Sequence, residues 1–214
     1  MEKIDPGSSE IEQEVLGALA AARGHFVYES GHHGDLWLDL DALFVDARRA
    51  RGWAAALAQR AAGCRPEIVV GPLTGGAFLA QLMAAEMGAK FVFAERGVSE
   101  EGAVRYRIPA PMRGAVSGRR GLLVDDAVNA GSALRSTLAD LMDCGAELAG
   151  LASLLASRPA GLALGDAPPA RDDAASQIAR QHGVPFFTLV SLKRGLWAPE
   201  TCPLCASGAP LGRP

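Results

Sequence analysis

Gly121–Thr137 reads GLLVDDAVNAGSALRST. Leu122, Leu123 and Val124 form a short apolar run, long enough for a strand buried on both faces. Two adjacent carboxylates, Asp125 and Asp126, follow where that strand is expected to leave its sheet. Ala127–Ser132 are mostly small residues with one glycine, and Leu134, Leu138 and Leu141 then recur at helical spacing. A helix is therefore expected to start near Ala130–Ser132. Unpaired N–H groups at a helix start bind phosphate, and carboxylates one step earlier accept hydrogen bonds from sugar hydroxyls. A ligand with both a ribose and a 5-phosphate fits that order. The competing reading is a solvated acidic turn before an ordinary helix.

Outward from this stretch, strands and helices alternate from residue 47 onward. Ala47–Ala62 is Ala-rich and helical, with Trp53 and Leu57 on one face. Glu67–Val70 reads as a strand running into GPLTGGAFLAQLMAAEMG, where Leu73, Thr74 and Gly75 sit in a glycine-rich turn before another helix. Such a turn lets backbone approach an anion closely. Lys90–Ala94 and Leu148–Ala156 are further apolar strands, the latter ending in Ser157-Arg158-Pro159. Gly161–Asp173 reads as a loop, Ala174–Gln181 as a short helix and Pro185–Leu192 as a last strand. The pattern predicts an α/β fold with a mainly parallel sheet flanked by helices. Both glycine-rich turns, the acid pair and Arg158 fall at the carboxyl ends of strands, where such sheets bind ligands.

Glu95–Arg120 has few aliphatic residues and carries Arg96, Arg105, Arg107, Arg113, Arg119 and Arg120, so it reads as a long functional loop or a solvated basic hairpin. Before residue 47, Ser9 and Glu12 suggest a capping box for a helix running to about Arg23 and stopped by Gly24. HFVYESGHHGDLWLDLDALF then reads as a hairpin with His32, His33 and Asp35 on its rim. The three parts expected are residues 1–46 (helix and hairpin), 47–195 (core) and 196–214 (tail). Adjacent strand residues face opposite ways, so His32 and His33 make a poor chelate, and the rim reads as touching a ligand. The tail holds Cys202-Pro-Leu-Cys205 without a second such pair, so a closed metal site would have to borrow His or another subunit. The default reading is a reduced, structural tail and no metal among the site residues.

A length of 214 residues suits one domain with a small appendage. The net charge of −3 does not suggest nucleic acid as a partner. No apolar stretch reaches the roughly 20 residues of a membrane helix, and the N-terminus MEKIDPGSSE lacks a signal-peptide pattern. A cytoplasmic protein is expected.

VDDAVNAGSA resembles the phosphoribosyl diphosphate (PRPP) motif of type I phosphoribosyltransferases. The hood-like hairpin GHFVYESGHHGDLWLDLD, the loop GPLTGGAFLA and FAER line up in the same order with orotate phosphoribosyltransferases, over most of residues 24–192. This resemblance implies the type I fold with a small N-terminal hood over the base, and transfer of ribose 5-phosphate from PRPP to orotate with Mg2+. It implies that Asp125 and Asp126 hold the ribose hydroxyls and that Asn129, Ala130, Gly131, Ser132 and Ala133 wrap the 5-phosphate. Leu73, Thr74 and Gly75 would take the pyrophosphate, and Arg158, Asn129 and His33 the base. Arg96 would start the catalytic loop, which in a homodimer reaches the neighbouring site. The chain departs from that pattern in having Asn129 for the usual Thr, Gly75 where a Lys is frequent, and no lysine between Lys90 and Lys193. Arg96, Arg105 or Arg107 would then supply the positive charge. A phosphoribosyltransferase for another base and a non-catalytic PRPP sensor are the alternatives.

Overall fold

In the computed structural model, described over residues 10–28, 30–100, 102–159 and 173–212, the central strands bury side chains on both faces of one sheet. Val69, Leu122 and Val124 pack into one core, Ile68, Val70 and Leu123 into the other, and all six are fully buried. That division is the two-residue alternation of a strand, and burial on both sides is why these runs lack polar positions.

The chain opens with α1 (Glu10–Ala18) and an antiparallel hairpin of β1 (Ala20–Val27) and β2 (His33–Asp39). The core follows as α2 (Ala47–Arg60), β3 (Ile68–Pro72), α3 (Gly75–Met87), β4 (Lys90–Val98) and β5 (Val104–Arg107). It continues with α4 (Ala110–Val116), β6 (Arg120–Val128), α5 (Ser132–Asp143) and β7 (Glu147–Pro159). After α6 (Ala174–His182) and β8 (Phe186–Arg194) come β9 (Leu196–Trp197) and α7 (Pro203–Ala206). Six strands form one sheet in the order β5-β4-β3-β6-β7-β8, parallel except for β5. Helices α2 and α3 cover one face, α5 and α6 the other. The chain builds outward from β3 to β4, then crosses to β6 on the other side of β3. Between the carboxyl ends of β3 and β6 the connections diverge, which leaves a crevice there.

Two expectations are corrected. The first helix stops at Ala18, and Ala20–Arg23 is strand, paired from Ala20↔Asp39 to Arg23↔Leu36. Alanines have no packing reason to stay helical once a pairing partner is available, so the tertiary context decides. Gly24 is not a helix stop but lies in a bulge between Arg23 and Phe26, where an added Cβ would press on the Phe26 ring at 3.0 Å. Second, Glu95–Arg120 is not one long loop. β4 runs on past Ala94 and pairs with β5, Arg96 opposite Tyr106, and α4 follows. Glu95–Val98, Arg105 and Arg107 are all exposed, which accommodates the arginines, while Tyr106 is buried.

The tail packs on the hood. β9 adds a third strand to it, pairing His33↔Trp197 and Gly34↔Leu196, and Gly212 N–H donates to His25 O at 2.6 Å. Ser9 and, but for Asp173, the stretch 161–173 lie outside the described residues. Among the described residues no helix is long and apolar enough to cross a membrane.

Candidate active site

The crevice at the ends of β3 and β6 is an open cleft of about 380 Å³. Pro72–Gly76 line one wall and Asp125–Ala133 another, so Leu73, Thr74, Gly75, Asp125, Asp126, Asn129, Ala130, Gly131, Ser132 and Ala133 are brought together as read from the sequence. The hood supplies Tyr28, Trp37, Asp39 and Asp41.

β6 continues four residues beyond its apolar run, so the acid pair sits within the strand's last turn of pairing rather than after it, with Asp125 opposite Ser153. Asp125 is buried and Asp126 half-buried at the cleft. Each carboxylate is oriented by the next amide: Asp126 N–H donates to Asp125 Oδ1 at 3.1 Å, and Ala127 N–H to Asp126 Oδ1 at 2.8 Å. Both lie against the first turn of α3. A Cβ built at Gly75 would fall on the Asp126 carboxylate, and one at Gly76 would come 2.7 Å from Asp125 Oδ1. The Gly-Gly pair is what lets the helix start approach the acids. Burial pushes the Asp126 carboxyl above its usual range, and the charge of Asp41 pushes the same way, against hydrogen bonds from Asp125 and the backbone.

Two helix N-termini open on this cleft. Neither α3, entered through Thr74, nor α5, entered through Gly131 at φ 76°, has a side-chain cap. Their first-turn N–H groups are thus available to an outside acceptor, with the positive end of the helix dipole behind them. Asp39, Asp41, Asp125 and Asp126 all border the cleft, and no lysine or arginine does among the described residues. Four carboxylates repel a diphosphate unless a cation accompanies it. Oxygen donors of this kind suit Mg2+, which is commonly held by one or two carboxylates together with substrate phosphates.

The remaining candidates divide. Asn129 Oδ1 accepts from Ser157 Oγ at 2.9 Å and from Arg194 Nη2, so its amide NH2 is the group left to face the cleft. Arg158 has its backbone in β7 opposite Lys193, and its side chain lies outside the described residues. Arg96, Arg105 and Arg107 are exposed on the β4–β5 hairpin and do not line the cleft, although Tyr106, paired opposite Arg96, does. His33 is buried under the hood beside His25 and does not line the cleft. Asp35, also read as rim, accepts from Gly195 N–H at 2.8 Å and holds the β8–β9 turn.

Arg194 escaped the sequence reading because a lone arginine after an apolar strand reads as a solvated end. It is buried, stacks on Tyr28 with its Cζ 4.8 Å from the ring centroid, and donates to Tyr28 OH at 3.2 Å and Leu36 O at 3.3 Å. Burial lowers its pKa, opposed by Tyr28 and Asp35. It links the hood to Asn129 on the cleft wall. Asp39 and Asp41 were missed as well, although the acidic spacing in LDLDALF at the hood's exit was the available signal.

Residues 43–194 match the family model for the phosphoribosyl transferase domain. The chain belongs to the phosphoribosyltransferase family. Its curated relatives include the orotate phosphoribosyltransferase of Carboxydothermus hydrogenoformans, 30% identical over 201 residues, 93% of each chain. That of Caldanaerobacter subterraneus is 29% identical over 192 residues, 90% of this chain and 88% of the relative. Among solved structures, Mycobacterium tuberculosis orotate phosphoribosyltransferase has a TM-score of 0.60 at 17% identity, covering 86% of this chain and 95% of the other. The adenine phosphoribosyltransferase of Thermoanaerobacter pseudethanolicus has a TM-score of 0.61 at 15% identity, covering 84% and 99%. At such identities the structures establish the fold, and the fold does not choose the base.

Proposed function

We propose that the chain is an orotate phosphoribosyltransferase, transferring ribose 5-phosphate from PRPP to orotate to give orotidine 5'-monophosphate and pyrophosphate. The observation that carries PRPP is the pair of uncapped helix N-termini, α3 and α5, opening on one cleft with Asp125 and Asp126 between them. The α5 start takes the 5-phosphate and the α3 start the pyrophosphate. Asp125 and Asp126 accept from the ribose hydroxyls and stabilise the positive charge that develops on the ring as pyrophosphate leaves. Mg2+ bound with the diphosphate would supply neutralising charge, and Asp125 and Asp126 are the residues that would hold it. Asn129 NH2 and Arg158 hold the base, an Arg–carboxylate pair being suited to orotate. Orotate is favoured over other bases by the names of the curated relatives.

In this reading the protein is a homodimer in which Arg96, Arg105 and Arg107 of one subunit bring positive charge to the partner's cleft, where the described lining has none. Four free thiols suit a reducing, cytoplasmic setting. Pyrophosphate release with PRPP, Mg2+ and a panel of orotate, uracil, adenine and guanine tests the proposal, and orotate alone should support turnover. PRPP with Mg2+ at 100 times its dissociation constant should also stabilise the fold by roughly 2.7 kcal/mol. Release with a different base would reassign the acceptor. Thermal protection with no turnover on any base would make the protein a PRPP sensor, and no protection would remove PRPP itself.

A further inference from the structure

The tail cysteines are not without partners. Cys202 and Cys205 meet His25 of β1 and His33 of β2, and one ligand atom from each of the four lies within 4.8 Å of every other. His25 Nε2 is 2.8 Å from His33 Nδ1, 3.5 Å from Cys202 Sγ and 3.6 Å from Cys205 Sγ. Cys205 Sγ is 3.2 Å from His33 Nδ1. Four ligands about 2.0–2.3 Å from a tetrahedral ion sit about 3.3–3.8 Å apart, so these side chains need shifts of only about half an ångström to close around one.

The surroundings are those of a built metal site. His25, His33 and Cys202 are buried while Cys205 is at the surface, which leaves an entry path. The other ring nitrogen of His25, Nδ1, lies 2.9 Å from Ala209 O. Donation to that carbonyl fixes the tautomer in which Nε2 presents its lone pair to the cluster, the usual outer support of a metal-bound imidazole. The two cysteines straddle the start of α7, and the spacing C-x2-C is that of a structural zinc knuckle. Without an ion, two buried imidazole nitrogens face each other at 2.8 Å with two thiols beside them, and at most one proton can bridge that N–N contact.

We propose that His25, His33, Cys202 and Cys205 bind one Zn2+ as a closed, structural Cys2His2 site that staples the C-terminal tail to the hood. Soft thiolates with imidazoles in a four-ligand cage select zinc over the hard cation expected at the carboxylate cleft. All four positions are filled by protein, so the ion does no chemistry on substrate. Its role is to hold β9 and residues 198–212 against a hairpin that also walls the cleft through Tyr28 and Trp37.

The full-length protein, purified under reducing conditions, incubated with zinc and desalted, is analysed by elemental analysis and native mass spectrometry. About one zinc per chain is expected. Cys202→Ser and His25→Gln should lower the occupancy at least ten-fold, whereas Cys205→His and His32→Gln should retain it. Cobalt in place of zinc should show the intense visible bands of a tetrahedral site and a thiolate charge-transfer band in the wild-type protein, a readout that does not depend on any variant folding. Removing the zinc by chelation should speed proteolysis near residues 198–212 relative to the core. A reduced wild-type protein that holds no zinc, or that holds it undiminished in Cys202→Ser, overturns the proposal. So does cobalt bound without a thiolate band.

Discussion

Gly75→Ala should disable the site through one identifiable collision. The new Cβ would land on Asp126 Oδ2, 2.6 Å from its Cγ and 3.2 Å from its Cβ, with no other heavy atom among its three nearest. Relief requires the carboxylate to swing away and give up the 2.8 Å bond from Ala127 N–H, a charge-assisted contact worth about 1.5–3 kcal/mol. An alanine in a helical first turn returns about 0.4–1 kcal/mol through the unfolded state. The net expectation is a loss of about 1–2 kcal/mol, read by urea unfolding, with weaker thermal protection by PRPP because a ribose contact has moved. In an Asp126→Ala background only the 3.2 Å contact to Cβ survives, so the same substitution should be neutral or stabilising by up to about 1 kcal/mol. The coupling energy should therefore exceed about 1.5 kcal/mol, within the range seen for touching residues. Gly71→Ala is the contrast: its Cβ would meet backbone, 2.5 Å from Gly76 C and 2.9 Å from Ala77 N, and should cost about 3 kcal/mol in either background. If Gly75→Ala costs the same with and without the Asp126 carboxylate, the close approach of α3 to the acid pair is not what this glycine serves.

Asp125→Asn with Asp126→Asn should leave a folded protein whose turnover is down about 100-fold or more, the scale of a lost electrostatic contact to the transition state; unfolding would make the pair structural, and wild-type turnover would end the ribose assignment. Because the Asp126 carboxyl is pushed up in the folded state, the folded protein holds its proton more tightly than the unfolded chain does, and the stability this gives below the ordinary aspartate range is lost as pH rises through the raised value. Asp126→Asn alone should accordingly gain in melting temperature over wild type as pH rises above the ordinary aspartate value of about 4, and a gap independent of pH would contradict the assigned cause. Arg194→Met should raise the KM for the acceptor about ten-fold or more with little change for PRPP, by freeing Asn129 and Tyr28 at once; equal effects on both substrates would show that it serves the fold alone.

The core was legible because its signals are local. Leu122–Val124 and Ile68–Val70 read as strands buried on both sides, and the small residues after each could only be tight entries to helices. Position in space was inferred from one rule, that strand ends gather at one edge of a parallel sheet, and the cleft lies there. What failed was decided by pairing. The run Ala20–Arg23 has no period of its own and became strand only because Leu36–Asp39 lies beside it. Arg96 sits in a hairpin arm, Glu95–Val98, that is exposed throughout, so it has no apolar alternation and is strand only by pairing with Val104–Arg107.

The hood shows why a spacing argument can be sound and still miss a site. His32 and His33 are neighbours on one strand edge and cannot share an ion, as the two-residue alternation requires. The partner of His33 is His25, eight residues back and across the hairpin, and a bulge between Arg23 and Phe26 is what turns it there. Bulges re-aim a side chain in this way, and nothing in the residues flanking Gly24 announces one. The cysteines come from 177 and 172 residues further along, carried to the hairpin by β9. A three-stranded sheet whose third strand is two residues long is a marginal unit by itself. Arg194 fastens it from the cleft side through Tyr28 and Leu36, and the His–Cys cluster fastens it from the tail side through His25 and His33. Polar and sulfur contacts thus do for the hood what the buried aliphatic layers do for the sheet, because the hood is too small to bury a core of its own.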